Sequence, residues 1–186
     1  MDVHGHKCIL TIGNFDGVHR GHQAILRCAR SEAGKRGLPV VVLTFDPFPI
    51  CVLRPQAAPR TLMSIDARVT VLKRVGADEV RVITPTKEFL SQTPTEFVEW
   101  LQQTFAPAVI IEGENFRFGR ERAGDMDTLA QLGVGAGFSV VAVPPQKVNL
   151  PGGTEVRASS TLIRTLLAEG RHAEADFIMG GKPCVP

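Results

Sequence analysis

Ten residues near the amino end, GNFDGVHRGH from Gly13 to His22, gather the side chains best suited to chemistry. Gly13 and Gly17 allow a ligand to approach the backbone closely. His19 and His22 stand three apart, a spacing that puts both imidazoles on one face of a helical turn, where both can reach a single anion. A helix beginning near Gly21 would add free amide donors to the same anion. The chemistry implied is phosphate binding, with two imidazoles placed to stabilise a phosphorus atom that passes through five-coordination. The wording is neither that of a P-loop nor that of a dinucleotide GxGxxG turn. Asp16 has two readings here, one as a residue that orients the loop and one as a turn residue bonded to its own backbone.

Such residues need a scaffold, and the rest of the chain supplies one. Short β-branched runs at Ile9 to Ile12, Val40 to Phe45, Val80 to Thr84, Ala108 to Glu112 and Ser139 to Val143 read as five buried strands. Between them, Gly21 to Arg36, Ile65 to Val75, Thr95 to Gln103 and Asp125 to Leu132 fit crossover helices, with Thr95, Asp125 and Ser64 placed to cap. This alternation predicts an α/β fold with a parallel sheet of right-handed βαβ units. Ligands of such sheets bind beyond the carboxyl ends of the strands, which directs attention to Gly13–His22, Thr44–Pro49, Thr84–Thr86 and Gly113–Gly119. Asp46 to Met63 and Asn115 to Gly124 read as long loops. Pro144 to Arg157 reads as a polar, turn-rich stretch before helices at Ser160 to Glu169 and Arg171 to Met179.

Composition narrows the function classes. A chain of 186 residues, 44% hydrophobic and 22% charged, suits one domain with a substantial core. A net charge of +2 carries no bias toward nucleic acid. No apolar run approaches the ~18 residues of a membrane span, and the start, MDVHGHK, lacks the form of a targeting segment. Cys8, Cys28, Cys51 and Cys184 have no paired CxxC spacing, so reduced thiols and a cytoplasmic location are expected. No carboxylate cluster marks a metal site built by the protein. His4 and His6 form an HxH pair on an expected flexible tail, and His172 begins a polar helix with no specific role assigned.

The segment GNFDGVHRGHQ resembles the ATP-binding signature of the bacterial FAD synthetases, the FMN adenylyltransferase module usually fused to riboflavin kinase. Three later segments agree in the same order: TFDPFP at Thr44 to Pro49, EGENFRFGRERAGD at Glu112 to Asp125, and ASSTLIRTLLAEG at Ala158 to Gly170. The resemblance implies a Rossmann-like nucleotidyltransferase fold over residues 1–180, with 181–186 as a tail or the start of a linker. It implies ATP contacts from Gly13, Asn14, Phe15, Gly17, His19, His22, Ser160, Thr161 and Arg164. Catalytic roles would fall to His19, His22, Asn115 and Arg164, and flavin contacts to Phe48, Asn115 and Phe118. ATP and FMN are the implied substrates, FAD the product, and Mg²⁺ is implied with ATP.

Two departures stand out. The family's PHP becomes Pro47, Phe48 and Pro49, an aromatic in place of a polar contact, and no riboflavin kinase activity is expected of these residues. Phe116 and Phe118 alternate about Arg117, so one ring can meet a flavin while the other packs inward. Arg117, Arg120 and Arg122 can attract phosphates or simply be solvated. Transfer to a different phosphate acceptor, and a catalytically weak flavin- or nucleotide-binding role, are the competing expectations.

Overall fold

The computed structural model describes residues 7–180. Its centre is a five-stranded parallel sheet of β1 (Cys8–Ile12), β2 (Val40–Phe45), β3 (Glu79–Ile83), β4 (Pro107–Gly113) and β5 (Ser139–Val143), in spatial order β3-β2-β1-β4-β5. β1 and β2 are buried along their whole length, which explains why they read as unbroken apolar runs. Alternate residues of the strands feed two cores. Leu10, Leu43 and Ile110 pack with helix α5 (Pro94–Phe105) and helix α6 (Met126–Ala136) on one face. Ile9, Val42 and Ile111 pack with α1 (Arg20–Arg36) and α3 (Ile65–Arg74) on the other.

The order of strands reverses between β1 and β4, and that is where a crevice opens in a doubly wound sheet. Pairing between these two strands ends at Leu10 with Ile110, so their carboxyl ends part there. The chain closes with α7 (Ser160–Ala168) and α8 (His172–Met179), which pack on each other around Ile163, Leu166, Ala175 and Ile178. The tail from 181 and the HxH pair at His4 and His6 lie outside the described residues, as does Cys184.

Several boundaries differ from the sequence reading. Helix α5 starts earlier than expected: its cap is Thr93, not Thr95, in a capping box with Glu96 and with Pro94 in the first turn. The stretch from Asp46 to Met63 is not all loop, because it carries the short helix α2 (Pro49–Leu53) and a 3₁₀ turn at Pro55–Ala57. A further short helix, α4 (Lys87–Leu90), follows β3. Within Pro144–Arg157 lies an antiparallel hairpin of β6 (Lys147–Asn149) and β7 (Glu155–Arg157). Three-residue strands are too short to show a period, which is why composition had suggested only turns.

Candidate functional site

Beyond the ends of β1 and β4 lies a cavity of about 260 Å³, lined among others by Gly13, Phe15, His19, His22, Glu112, Asn115, Phe116 and Arg157. The loop that runs from β1 into α1 forms its floor. Phe15 and Val18 hold left-handed backbone angles, φ 47° and φ 36°, unusual for residues with bulky side chains. Gly17 has φ 79°, a backbone conformation that favours glycine, and a Cβ there would also press on the tip of Leu62 at 2.9 Å.

His19 is the N-cap of α1. Its Nδ1 accepts the amides of Gly21 at 3.2 Å and His22 at 3.4 Å. The free amides expected at this helix start are therefore taken by the histidine itself, and His19 offers its remaining Nε2–H to a ligand. Its ring stacks on His22, centroids 3.7 Å apart, and His22 meets Phe15 edge-on at 5.1 Å. Burial, joined by the positive charge of Arg157, pushes His19 down to about 4. Burial, with His19 as neighbour, holds His22 well below its ordinary range. Both rings are neutral donors in the free protein, since two stacked imidazolium ions out of water would repel each other. His22 Nδ1 is buried without a hydrogen-bond partner among the described residues, a polar atom left for a ligand to satisfy.

Of the two readings of Asp16, the structure favours the one that orients the loop, through distant partners and not through its own backbone. Its carboxylate accepts the Leu62 amide at 3.0 and 3.1 Å and Arg164 Nη2 at 2.5 Å, while its backbone carbonyl accepts the Ser160 hydroxyl at 2.8 Å. It joins the loop between β1 and α1 to α7 and to the chain before α3. Arg164 also donates from Nε to the Arg60 carbonyl at 2.7 Å. Ser160 and Arg164 thus reach the loop through Asp16 and stand outside the cavity lining, with Thr161 exposed on α7.

The structure brings Gly13, Phe15, His19, His22 and Asn115 together around the cavity. Asn14 is exposed, and its carbonyl accepts from Arg68 Nη1 at 3.0 Å and from the Thr44 hydroxyl at 3.2 Å. The ring that lines the cavity is that of Phe116, where the sequence placed Phe118. Phe118 is 6% exposed and packs on Phe97 and Phe116 in the core. Gly124, facing it across a β-bridge, leaves room for its ring. Phe48 is 2% exposed, and Arg68 lies over its ring at 4.7 Å. Arg117 pairs with Asp125, the N-cap of α6, and His172 stands outside the cavity.

Sequence reasoning passed over Arg157, Glu112 and Arg68. Arg157 enters the cavity on β7, inside the stretch taken for turns. Glu112 and Arg68 are hidden ionisable groups at 3% and 0% exposure, and such residues on a strand and a helix give no sign in sequence of being turned inward. Among the described residues no group of three or more His, Cys, Asp or Glu side chains is placed to hold a metal ion, and no helix is long and apolar enough to cross a membrane.

A doubly wound parallel sheet with a histidine-capped helix at its switch point and two helices appended after the last strands defines a Rossmann-like nucleotidyltransferase fold. More particularly, the chain belongs to the FAD synthetase family, whose model matches residues 2–160. It is 36% identical over 174 residues to a bifunctional riboflavin kinase/FMN adenylyltransferase of Escherichia coli K12, and 37% identical over 174 residues to one of Pseudomonas fluorescens. Each alignment covers 93% of this chain and 54% of the relative, so the chain spans about half the length of these relatives. A crystal structure from Streptococcus pneumoniae, described as a macrolide-efflux protein, superposes with a TM-score of 0.78 at 28% identity, covering 97% of this chain and 57% of that one.

Proposed function

We propose that this chain transfers AMP from ATP to FMN, giving FAD and pyrophosphate. The observation that carries the reading is the meeting, in one switch-point cavity, of the His19–His22 pair, Asn115 and Arg157, in a member of the FAD synthetase family. A phosphate oxygen of FMN attacks the α-phosphorus of ATP in line. The new P–O bond forms as the bond to the β-phosphate oxygen breaks, and pyrophosphate leaves with that electron pair. The attacking phosphate is already a nucleophile, so the protein's work is positioning and charge stabilisation.

In this reading His19 donates from Nε2–H and His22 from its buried edge to the phosphate oxygens, and both gain basicity as the polyanion enters. Arg157 adds a fixed positive charge at the cavity wall, and the Asn115 carboxamide faces the same phosphates. Ser160 and Arg164 act through Asp16, holding the loop that carries the histidines, and Thr161 lies beside them on α7. Phe116 offers the ring next to the cavity, with Phe118 stacked behind it in the core, while Phe48 covers Arg68 and so reaches the flavin side only through the loop that carries it. Mg²⁺ carried by the triphosphate would supply the charge neutralisation that makes pyrophosphate a better leaving group. The three described cysteines are free thiols, which accords with a cytoplasmic setting.

The test is to supply FMN, ATP and Mg²⁺, with riboflavin replacing FMN as control, and to follow FAD by chromatography beside pyrophosphate release. FAD is expected from FMN alone. Folded protein that yields neither FAD nor pyrophosphate would sink the reading, and pyrophosphate release with another phosphate monoester in place of FMN would move the assignment to that acceptor.

A further inference from the structure

Glu112 lies in the cavity of the two histidines, 3% exposed, with no part in the mechanism above. Its setting follows from the sheet. The amides of Ile9 on β1 and of Gly13 just after it donate toward the β2 side, to Pro39 and Leu43, which turns the intervening Ile12 amide toward β4. Pairing with β4 has ended by then, and Glu112 Oε1 takes the Ile12 amide at 2.5 Å and the Thr11 hydroxyl at 3.3 Å, across about a hundred residues of chain. One carboxyl thus anchors the last residue of β1 before Gly13 and the phosphate loop. Both its partners are uncharged. The titratable and charged groups that line the cavity with it are His19 and His22 at the start of α1, Glu114 two residues on, and Arg157 on β7, while its β5 ladder partner is the uncharged Ala142.

We propose that Glu112 is a positioning residue for the triphosphate: as the neutral acid it braces the end of β1 so that the loop from Gly13 to His19 receives the phosphates, and its ionisation places a negative charge beneath them that opposes binding. The inference rests on reading the cavity as a nucleotide site. Burial pushes this carboxyl well above the usual range, with the bonds from Ile12 and Thr11 pulling the other way. The neutral acid therefore persists to higher pH than in an ordinary glutamate, and polyanion binding is linked to keeping its proton.

The experiment is the dissociation constant of Mg·ATP, measured calorimetrically between about pH 6 and about pH 9, for the natural chain and Glu112→Gln. Glutamine accepts the same two bonds and never ionises, so titration of ATP itself and of the histidines cancels in the ratio of the two proteins. The natural chain is expected to lose affinity relative to Glu112→Gln with rising pH, by up to about tenfold per unit beyond the ionisation. A ratio that stays constant across the range would overturn the proposal, because a merely structural carboxyl and its amide would share one profile. If Glu112→Gln fails to fold, carboxyl ¹³C shifts of the natural chain decide: one glutamate should titrate high and move higher with Mg·ATP, and no ATP-dependent glutamate would overturn the proposal. Absence of Mg·ATP binding to the natural chain would overturn this inference and the nucleotide reading together. Binding without FAD formation would remove only the choice of FMN as acceptor and leave this test standing.

Discussion

At the scale of single residues, His19 does two things with two atoms. Nδ1 caps α1, and Nε2–H remains for a ligand. Glycine at 21 belongs to the same device, since a Cβ there would lie 3.0 Å from the His19 ring. His19→Asn separates the two roles, because an asparagine N-cap accepts the same amides but does not titrate. Turnover is expected to fall by about a hundredfold or more once the donor is lost. The pH dependence of stability should change as well. With its folded value lowered from 6.5 to about 4, His19 binds its proton more readily in the unfolded chain. Its contribution is therefore present above pH 6.5 and is lost as pH falls toward 4, by roughly 2–3 kcal/mol. Urea denaturation at about pH 7 and about pH 5 should show the natural chain losing more stability than His19→Asn; equal losses would mean that the buried neutral ring is not what acid attacks. The pairing of His19 with His22 was legible in HRGH. Their neutrality was not, because it comes from burial in the folded cavity and from the charge of Arg157 on β7.

At the scale of elements, Arg68 shows how α3 serves loops it does not belong to. Fully buried, its Nη1 donates to the carbonyls of Asn14 at 3.0 Å and Phe45 at 2.9 Å and to the Thr44 hydroxyl at 3.3 Å. One guanidinium thus holds the loop after β1 and the loop after β2 side by side. Its Nε and Nη2 make no hydrogen bond among the described residues, although Nη2 is 3.6 Å from Asp46 Oδ1, and the face of Phe48 covers the group. Here the aromatic departure at position 48 finds a physical role as a lid on a buried cation. Arg68→Ala is expected to cost about 3–5 kcal/mol, since two carbonyls lose their donor and a cavity opens. Asp46→Asn, altering a half-exposed partner at long range, should cost less than about 1 kcal/mol. Chemical denaturation of the two variants checks the difference, and similar costs would make the ion pair rather than the carbonyl clamp the main contribution. Ser64 was legible as the cap of α3, and Asp125 as that of α6, because an N-cap is a local bond. The hairpin of β6 and β7 was not, being made by pairing across a turn.

At the scale of the whole molecule, the last two helices are tied to the first loop. Asp16 receives Arg164 and Ser160 from α7, while Gln23 Nε2 donates to the carbonyls of Val18 and Met179, both at 2.9 Å. Arg20 donates from Nε to the Phe177 carbonyl at 2.8 Å and lies over the Phe177 ring. The amino-terminal turn of α1 is therefore gripped by residues about 150 positions away. Because Asp16 is 2% exposed in its side chain and Arg164 only 24%, their attraction is weakly screened. A double-mutant cycle of Asp16→Asn and Arg164→Ala, read by urea denaturation, should return a coupling of about 2 kcal/mol. A value near zero would leave the helical pair held by apolar packing and by the bonds of Gln23, Arg20 and Ser160.

The sequence by itself determined the parallel α/β architecture, the five strands within a residue or two, the placement of the histidine pair at a helix start, and the family. Each of these is written in neighbouring residues: apolar runs, helical spacing, a local cap, an ordered set of motifs. Only the tertiary structure decided that Asp16 is a tie to α7 rather than a turn residue, that Phe116 and not Phe118 lines the cavity together with Glu112 and Arg157, and that Arg68 clamps the loops after β1 and β2. Those decisions concern burial and partnership between distant segments, and a side chain's burial and charge state are set by whatever the completed fold packs against it.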